Sequence, residues 1–366
     1  MAQKRALIVF PDEWINYSPS MLNSIVLLTE RGYAVDLLSF GFSHFNASKV
    51  NANHTHITIP FIVYKWLSKI KAYDFLKYGL LTLLLFLKRN TTYGVVIGVD
   101  NIGYATAHKF FKQAIFFSLE VKKNNYFTKC LQQGITHCII QSAERYHFLF
   151  DESSCIPAQL IVQNAPIIPP HFNVNDAEIN ARTKQLVYWG NIANFYGIEP
   201  LIDALILLPS QYTLTLRGVK NELYNTHLQY KYATLIQAQR LLFNYDYVPQ
   251  ELLLNEMKNY YIGFVMFDFS KIKTSDFNCI SSPSGKQFNY MAAGLPTIGQ
   301  DIIGFAPIAQ NNAGILLPTF DAQSIVTAII KIENNYNIYA HNALKASIHY
   351  DFKRSFTTAI DTVLGN

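Results

Sequence analysis

Thirteen short apolar runs, alternating with stretches of helical periodicity, limit what this chain can fold into more than any other feature. In the first half these are ALIVF (6–10), AVDLLSF (34–40), HITIP (56–60), GVVIGV (94–99), AIFFSL (114–119), THCIIQ (136–141) and QLIVQ (159–163). QLVYWG (185–190), YTLTLRG (212–218), LLFNYDYV (241–248), IGFVMF (262–267), PTIG (296–299) and AGILL (313–317) follow in the second. Runs that are apolar at successive positions suit parallel strands covered by helices on both faces. Ser18-Pro19 opens the first helical stretch as N-cap and N1. NAPIIPPHFNVNDAEINARTKQ (164–185) is the long polar, proline-containing break, so the alternation predicts an α/β chain with a linker there.

A chain of 366 residues is long enough for two cores. Half of it is hydrophobic and 15% is charged, which excludes a disordered protein. Cys130, Cys138, Cys155 and Cys279 show no metal-ligand or disulfide-framework spacing, so reduced thiols and a cytoplasmic location are expected. The start runs directly into a strand pattern, and the Gly79–Leu87 run is far shorter than the roughly 20 residues of a spanning helix. No G-x-G-x-x-G occurs, which argues against a dinucleotide-binding enzyme.

SSPSGKQFNYMAAGLPTI (281–298) carries the most chemistry. Ser284 and Gln287 have capping-box spacing, which predicts a helix with Gly285 and Lys286 in its first turn. Phe288, Met291 and Ala292 form its buried face, Lys286 and Asn289 lie on a polar one, and Gly294 stops it. A helix start with an adjacent ammonium is a seat for a diphosphate.

These residues resemble a known group. KQFNYMAAGLPTIG is similar to the donor-site segment K-x-x-E-Y-M-A-x-G-x-P of family 4-like glycosyltransferases of the GT-B fold. KQLVYWGNIANFYGIEPLIDAL (184–205) resembles the opening of the same C-terminal domain, and YTLTLRG, NYDYVPQELLLNEMKNYYIGFVMF (244–267) and CIIQSAERYHFLF (138–150) follow in order. The resemblance implies two Rossmann-like domains facing a central cleft. The first, 1–165, would bind the acceptor and the second, 166–349, the nucleotide-sugar, with a helix in 350–366 returning to the first domain. It implies transfer of a sugar from a nucleotide-sugar to a hydroxyl, with no resident cofactor.

On this reading Ser284, Gly285, Lys286, Gln287 and Asn289 contact the donor, with Lys286 on its diphosphate. Gly190 and Asn191 open a turn where backbone can approach phosphate. Arg217 reaches the same place or is merely solvated. Tyr247 and Val248 lie where relatives bind the base, or else they pack in the core. The acid pair of retaining family 4 enzymes is replaced here by Ser281 and Asn289, and the basic residues after the first glycine turn by Asn194 and Tyr196. Lys286 with an amide three positions later resembles the xanthan-type glucuronosyltransferases, which invert. An inverting enzyme needs a general base for the acceptor hydroxyl. Asp100 and Glu120 each end an apolar run at a ligand-binding edge and are the candidates, with Glu120 preferred because the basic, aromatic loop VKKNNYF follows it. Asp12 and Glu13 are weaker ones. Asn16 and Tyr17 in the first loop are expected to touch the acceptor.

With no D-x-D and no histidine cluster, His54 and His56 included, no catalytic metal is expected. Residues 1–165 hold 16 basic and 10 acidic side chains, and 166–366 hold 14 and 15, so the positive excess lies in the first half. Six basic residues in 61–92 alternate with aromatics and leucines, which reads as helices lying on anionic membrane, or as ordinary helices covering a sheet. Nucleic acid is not an expected partner. The favoured function is a peripheral, cytoplasmic transferase acting on a lipid-linked or oligosaccharide acceptor in surface polysaccharide synthesis. A nucleotide-sugar 2-epimerase of the same fold and a non-catalytic partner subunit are the alternatives.

Overall fold

The computed structural model describes residues 3–12, 14–41, 52–58, 69–70, 72–122, 126–131, 134–151, 155–270 and 276–365. All thirteen apolar runs overlap strands among the described residues, although the third strand, Asn53–Thr58, begins three residues before its run and residues 59–60 of that run lie outside the described residues. In the first half these are β1 (Arg5–Phe10), β2 (Ala34–Gly41), β3 (Asn53–Thr58), β4 (Val95–Val99), β5 (Ile115–Phe117), β6 (His137–Ile140) and β7 (Ala158–Ile161). In the second they are β8 (Gln185–Trp189), β9 (Thr213–Arg217), β10 (Leu241–Asn244), β11 (Ile262–Val265), β12 (Thr297–Gln300) and β13 (Gly314–Leu317). Among the described residues they pair in parallel into two sheets, of order β3-β2-β1-β4-β5-β6-β7 and β10-β9-β8-β11-β12-β13. Each sheet reverses its winding once, between β1 and β4 and between β8 and β11. Such switch points leave a crevice at the carboxyl ends of the strands, and both candidate half-sites lie at those ends.

Contacts group the chain into two compact units, Met1–Asn164 with Phe352–Asn366, and Ala165–Asp351. In the first unit Ala6 to Phe10 of β1 are sealed from solvent, as a strand with covered faces must be. The terminal helix Phe352–Leu364 lies against the helix Pro19–Glu30 of this unit. Phe352, Phe356, Ala359 and Ile360 make its buried stripe, and full burial of each large side chain contributes about 1.5–3 kcal/mol. Arg31 to Asp361 (2.7 Å) and Lys353 to Glu30 (2.8 Å) border the stripe.

The stretch 61–92 divides. Residues 61–68 and Lys71 lie outside the described residues, so the part of the interfacial reading that rests on Lys65, Trp66 and Lys71 does too. The helix Tyr73–Leu87 packs on the helix Asp100–Phe110 through Tyr73, Lys77, Leu81 and Leu85. Lys77 is therefore no surface cation. It is 4% exposed, its ammonium bonds Asp12 at 3.1 Å, and it lies 4.8 Å from the centroid of the Tyr73 ring. The i, i+4 spacing of Tyr73, Lys77 and Leu81 turns this one lysine inward, where it pairs with an acid at the end of β1. The outer side of the helix is apolar: Phe75, Leu83, Phe86 and Leu87 are exposed, and Arg89 covers the Phe86 ring at 3.6 Å. No helix among the described residues is long and apolar enough to cross a membrane.

In the second unit the segment expected as linker is anchored. Arg182 donates to the carbonyls of Ala293 (2.7 Å) and Gly294 (2.6 Å), placing a cation at the carboxyl end of the helix Gly285–Ala292. Gly294 has φ +65°, the left-handed stop expected from sequence.

Candidate donor and acceptor half-sites

In the second unit three turns meet at the carboxyl edge of β8 and β9. The Gly190 N–H donates to the Arg217 carbonyl at 2.7 Å, and Gly218, at φ +133°, lies directly over the Gly190 carbonyl. A Cβ on Gly218 would stand 2.1 Å from that oxygen, so only glycine permits the approach. A Cβ on Gly190 would stand 2.2 Å from Cε of Lys286, which shows how closely the lysine stem crosses this turn. The helix Gly285–Ala292 is held in register by Tyr290, whose hydroxyl accepts the Trp189 N–H at 3.0 Å and whose ring fills the space beside Gly263.

Lys286 ends over two tyrosines, 5.4 Å from the Tyr188 centroid and 4.8 Å from that of Tyr196. Among the described residues no carboxylate or hydrogen-bond acceptor meets its ammonium. Beside it the Gln287 N–H is taken by the Ser284 carbonyl at 3.2 Å, while the N–H groups of Gly285 and Lys286 precede the first intrahelical acceptor. The lysine keeps part of its surface exposed, but its ammonium is enclosed, and burial pushes its pKa down to about 8. Bound anion favours the ammonium. Affinity for a nucleoside diphosphate is therefore expected to fall as pH rises through about 8, by up to about tenfold per pH unit. Lys286→Arg, charged throughout, should flatten the profile between pH 7 and 9.5 in calorimetric titrations. A flat wild-type profile would dissociate Lys286 from the anion.

The expected capping box does not form. Ser284 is the N-cap without a side-chain bond to the helix, and Gln287 is buried and donates to the Gly304 carbonyl at 2.8 Å. Burial draws the Gln287 amide into the fold rather than back over the helix start, so it is not oriented towards a donor. Arg217 is not solvated: it pairs with Glu256 at 2.6 Å and stacks 4.4 Å from the Trp189 centroid. Ser281 is buried and returns its hydroxyl to the Phe277 carbonyl, while Asn289 is half-buried. Asn191 is exposed. Tyr247 is 74% exposed after β10, which excludes core packing for it, and Val248 is half-buried. Beside this edge Gly197, Pro200, Phe267, Asp268, Gln300 and Asp301 line a cavity of about 250 Å³. Sequence reasoning missed Tyr188, Tyr196 and Tyr290 as supports. For Tyr188 and Tyr196 the signal was the aromatic density of YWGNIANFY, and for Tyr290 its place in KQFNYMAAG.

In the first unit Asp100 and Glu120 come together. Asp100 starts the helix Asp100–Phe110 with φ +50°, unusual for a residue with a side chain. Its Oδ1 accepts the N–H groups of Leu119 (2.7 Å) and Glu120 (2.9 Å), and its Oδ2 is buried without a hydrogen-bond partner among the described residues. Burial, then the charges of Asp12 and Glu120, push the Asp100 carboxyl up to about 8. Arg145, fully buried, donates to the Leu119 carbonyl at 2.7 Å. Burial draws its pKa below the ordinary value, against the opposing pull of Glu120 and Asp100. Glu120 itself is half-exposed. Asp12 is engaged by Lys77, and Glu13 lies outside the described residues, as do the side chains of His54 and His56. Asn16 and Tyr17 form a short 3-10 turn with Tyr17 75% exposed. No group of His, Cys, Asp or Glu among the described residues is arranged to hold a metal ion.

No known family's sequence profile matches the chain, and no curated protein matches it by sequence. Solved structures do. Anabaena HepE in complex with UDP is 12% identical, with TM-score 0.70 over 99% of each chain. Sucrose-phosphate synthase from Thermosynechococcus elongatus is 12% identical, with TM-score 0.69 over 98% of each. The lipopolysaccharide outer core galactosyltransferase WaaB is 14% identical, with TM-score 0.64 over 98% of this chain and 99% of that one. At such identities the likeness concerns architecture, and with two doubly wound parallel sheets and a last helix that joins the first unit, this chain has the GT-B fold.

Proposed function

We propose that the protein is a nucleotide-sugar-dependent glycosyltransferase that needs no metal and inverts the anomeric centre. The observation that carries this reading is Lys286, lying across the Gly190 turn at a helix start with no carboxylate to neutralise it among the described residues. A buried cation without a counter-ion is costly, and an anion such as a donor diphosphate relieves that cost. The complexes of HepE with UDP and with UDP-glucose favour uracil as the first base to test. The exposed Tyr247 ring offers the base a stacking face. The cavity walled by Phe267 and two carboxylates has the mixed character of a sugar pocket. Charge on the leaving diphosphate is met by Lys286 and the helix dipole, and the acceptor hydroxyl gives its proton to Glu120.

The acceptor in this reading is lipid-linked or an oligosaccharide of a surface polysaccharide. Phe75, Leu83, Phe86 and Leu87, with Lys69, Lys88 and Arg89 near the ends of their helix, would rest on anionic membrane. One assay tests the reading. The protein is incubated in EDTA with UDP-, GDP- and ADP-sugars, with and without acceptor lipid in anionic vesicles. Acceptor-dependent release of nucleoside diphosphate is expected, from protein that sediments with the vesicles at low salt and leaves them as salt rises. Conversion of the donor to its C2 epimer without acceptor would identify an epimerase. No turnover of any donor would leave a partner subunit, and activity restored only by Mg²⁺ would refute metal independence.

A further inference from the structure

Two buried ionisable side chains in the first unit are directed at one stretch of backbone. Asp100 Oδ1 takes both N–H groups of Leu119 and Glu120, and Arg145 takes the carbonyl between them. Asp100, directly after β4, and Arg145, in the helix Ala143–Phe150 that follows β6, thereby hold the loop that leaves β5, Asp100 doing so from nineteen and twenty positions away along the chain. The support under Asp100 is rigid as well. A Cβ on Gly98 would stand 2.4 Å from Cα of Tyr104, so strand and helix press together around the residue, which keeps the left-handed backbone.

We infer that Asp100 is a positioning residue rather than the base: it fixes the Leu119–Glu120 backbone and so aims the Glu120 side chain. The role for Glu120 rests on the proposed transferase reading, while the clamp stands on geometry alone. A burial-raised carboxyl that accepts two N–H groups acts through its shape, and an amide reproduces that shape. Asparagine also tolerates the left-handed backbone.

The pair Asp100→Asn and Asp100→Gly separates the roles. Asn keeps the acceptor, and Gly removes it while easing φ +50°. Hydrogen exchange followed by mass spectrometry should show the Leu119 and Glu120 amides protected in wild type and Asp100→Asn, and deprotected in Asp100→Gly. In the transferase assay Asp100→Asn should stay close to wild type. Asp100→Gly should lose about 10–100-fold in kcat with donor KM unchanged, as expected when a reacting group is displaced without loss of binding. A loss in Asp100→Asn as deep as that in Glu120→Gln would overturn the inference, because then ionisation of Asp100 itself matters. Unchanged exchange in Asp100→Gly would overturn the clamp. If exchange follows expectation but Glu120→Gln is fully active, the clamp is supported and only the assignment of Glu120 as base fails.

Discussion

Glu120→Gln is expected to lower kcat by about 10²–10⁴-fold while the donor binds as before, the usual contribution of general-base assistance. The substitution keeps the size of the side chain and one acceptor oxygen but removes the ability to take a proton. The Glu120 N–H and the Leu119 carbonyl are held by Asp100 and Arg145 without use of the Glu120 carboxylate, so the loop should keep its path. The new linkage should carry the anomer opposite to that of the donor, which NMR of the product reads directly. Retention of configuration, or wild-type turnover in the amide variant, would sink an inverting mechanism based on Glu120 and leave the fold untouched. Ser281 and Asn289 carry no carboxylate, so the proposed base is sought in the first unit. Ser281 in particular is sealed in its own helix.

Lys286→Ala should weaken nucleoside-diphosphate binding by about 1.5–3 kcal/mol, roughly tenfold to 150-fold in Kd. The near-isosteric Lys286→Met should do the same while making the unliganded protein more stable. The direction follows from linkage. The Lys286 pKa falls from 10.5 to about 8 in the folded protein, so the unfolded chain holds the proton more tightly. The penalty on folding is full below pH 8 and fades as pH rises through 8 towards 10.5. Removing the ammonium at pH 7 should therefore raise the melting temperature, and a ligand-binding role is what would retain a residue that destabilises the free fold. Unchanged affinity for UDP, GDP and ADP in calorimetry, with the fold intact, would remove Lys286 from the site.

What the sequence disclosed follows physical range. The runs that became inner strands, such as β1, β4 and β11, were legible because burial on both faces imposes a composition that local inspection detects, whereas the edge strands β7 and β10 are only partly covered. The helix start at Ser284 and the stop at Gly294 were legible for the same reason, since both depend on residues a few positions apart. Gln287 shows the limit. Its spacing fitted a capping box, but a carbonyl seventeen residues away offered a bond inside the core and took the amide. Lys77 misled similarly, as a lysine among leucines looks superficial until its acid appears sixty-five positions upstream. Asp100 and Glu120 could be singled out one at a time. Their connection could not, since it runs through backbone N–H groups that are identical in every sequence and through Arg145, a residue with no local signature. The aromatic seat of Lys286 was hidden likewise, because Tyr188 and Tyr196 come from another part of the chain.

The helix Phe352–Leu364 has a consequence for the order in which the protein can be made. The ribosome releases the helix Pro19–Glu30 early, but the stripe of Phe352, Phe356, Ala359 and Ile360 emerges after more than three hundred further residues. Throughout that interval the nascent first unit lacks one of its own packing elements. Ala165–Asp351, by contrast, is continuous and can complete its sheet during synthesis. The domain begun first is thus the one finished last, and the helix groove waiting for Phe352–Leu364 is the apolar surface that nascent-chain chaperones would meet.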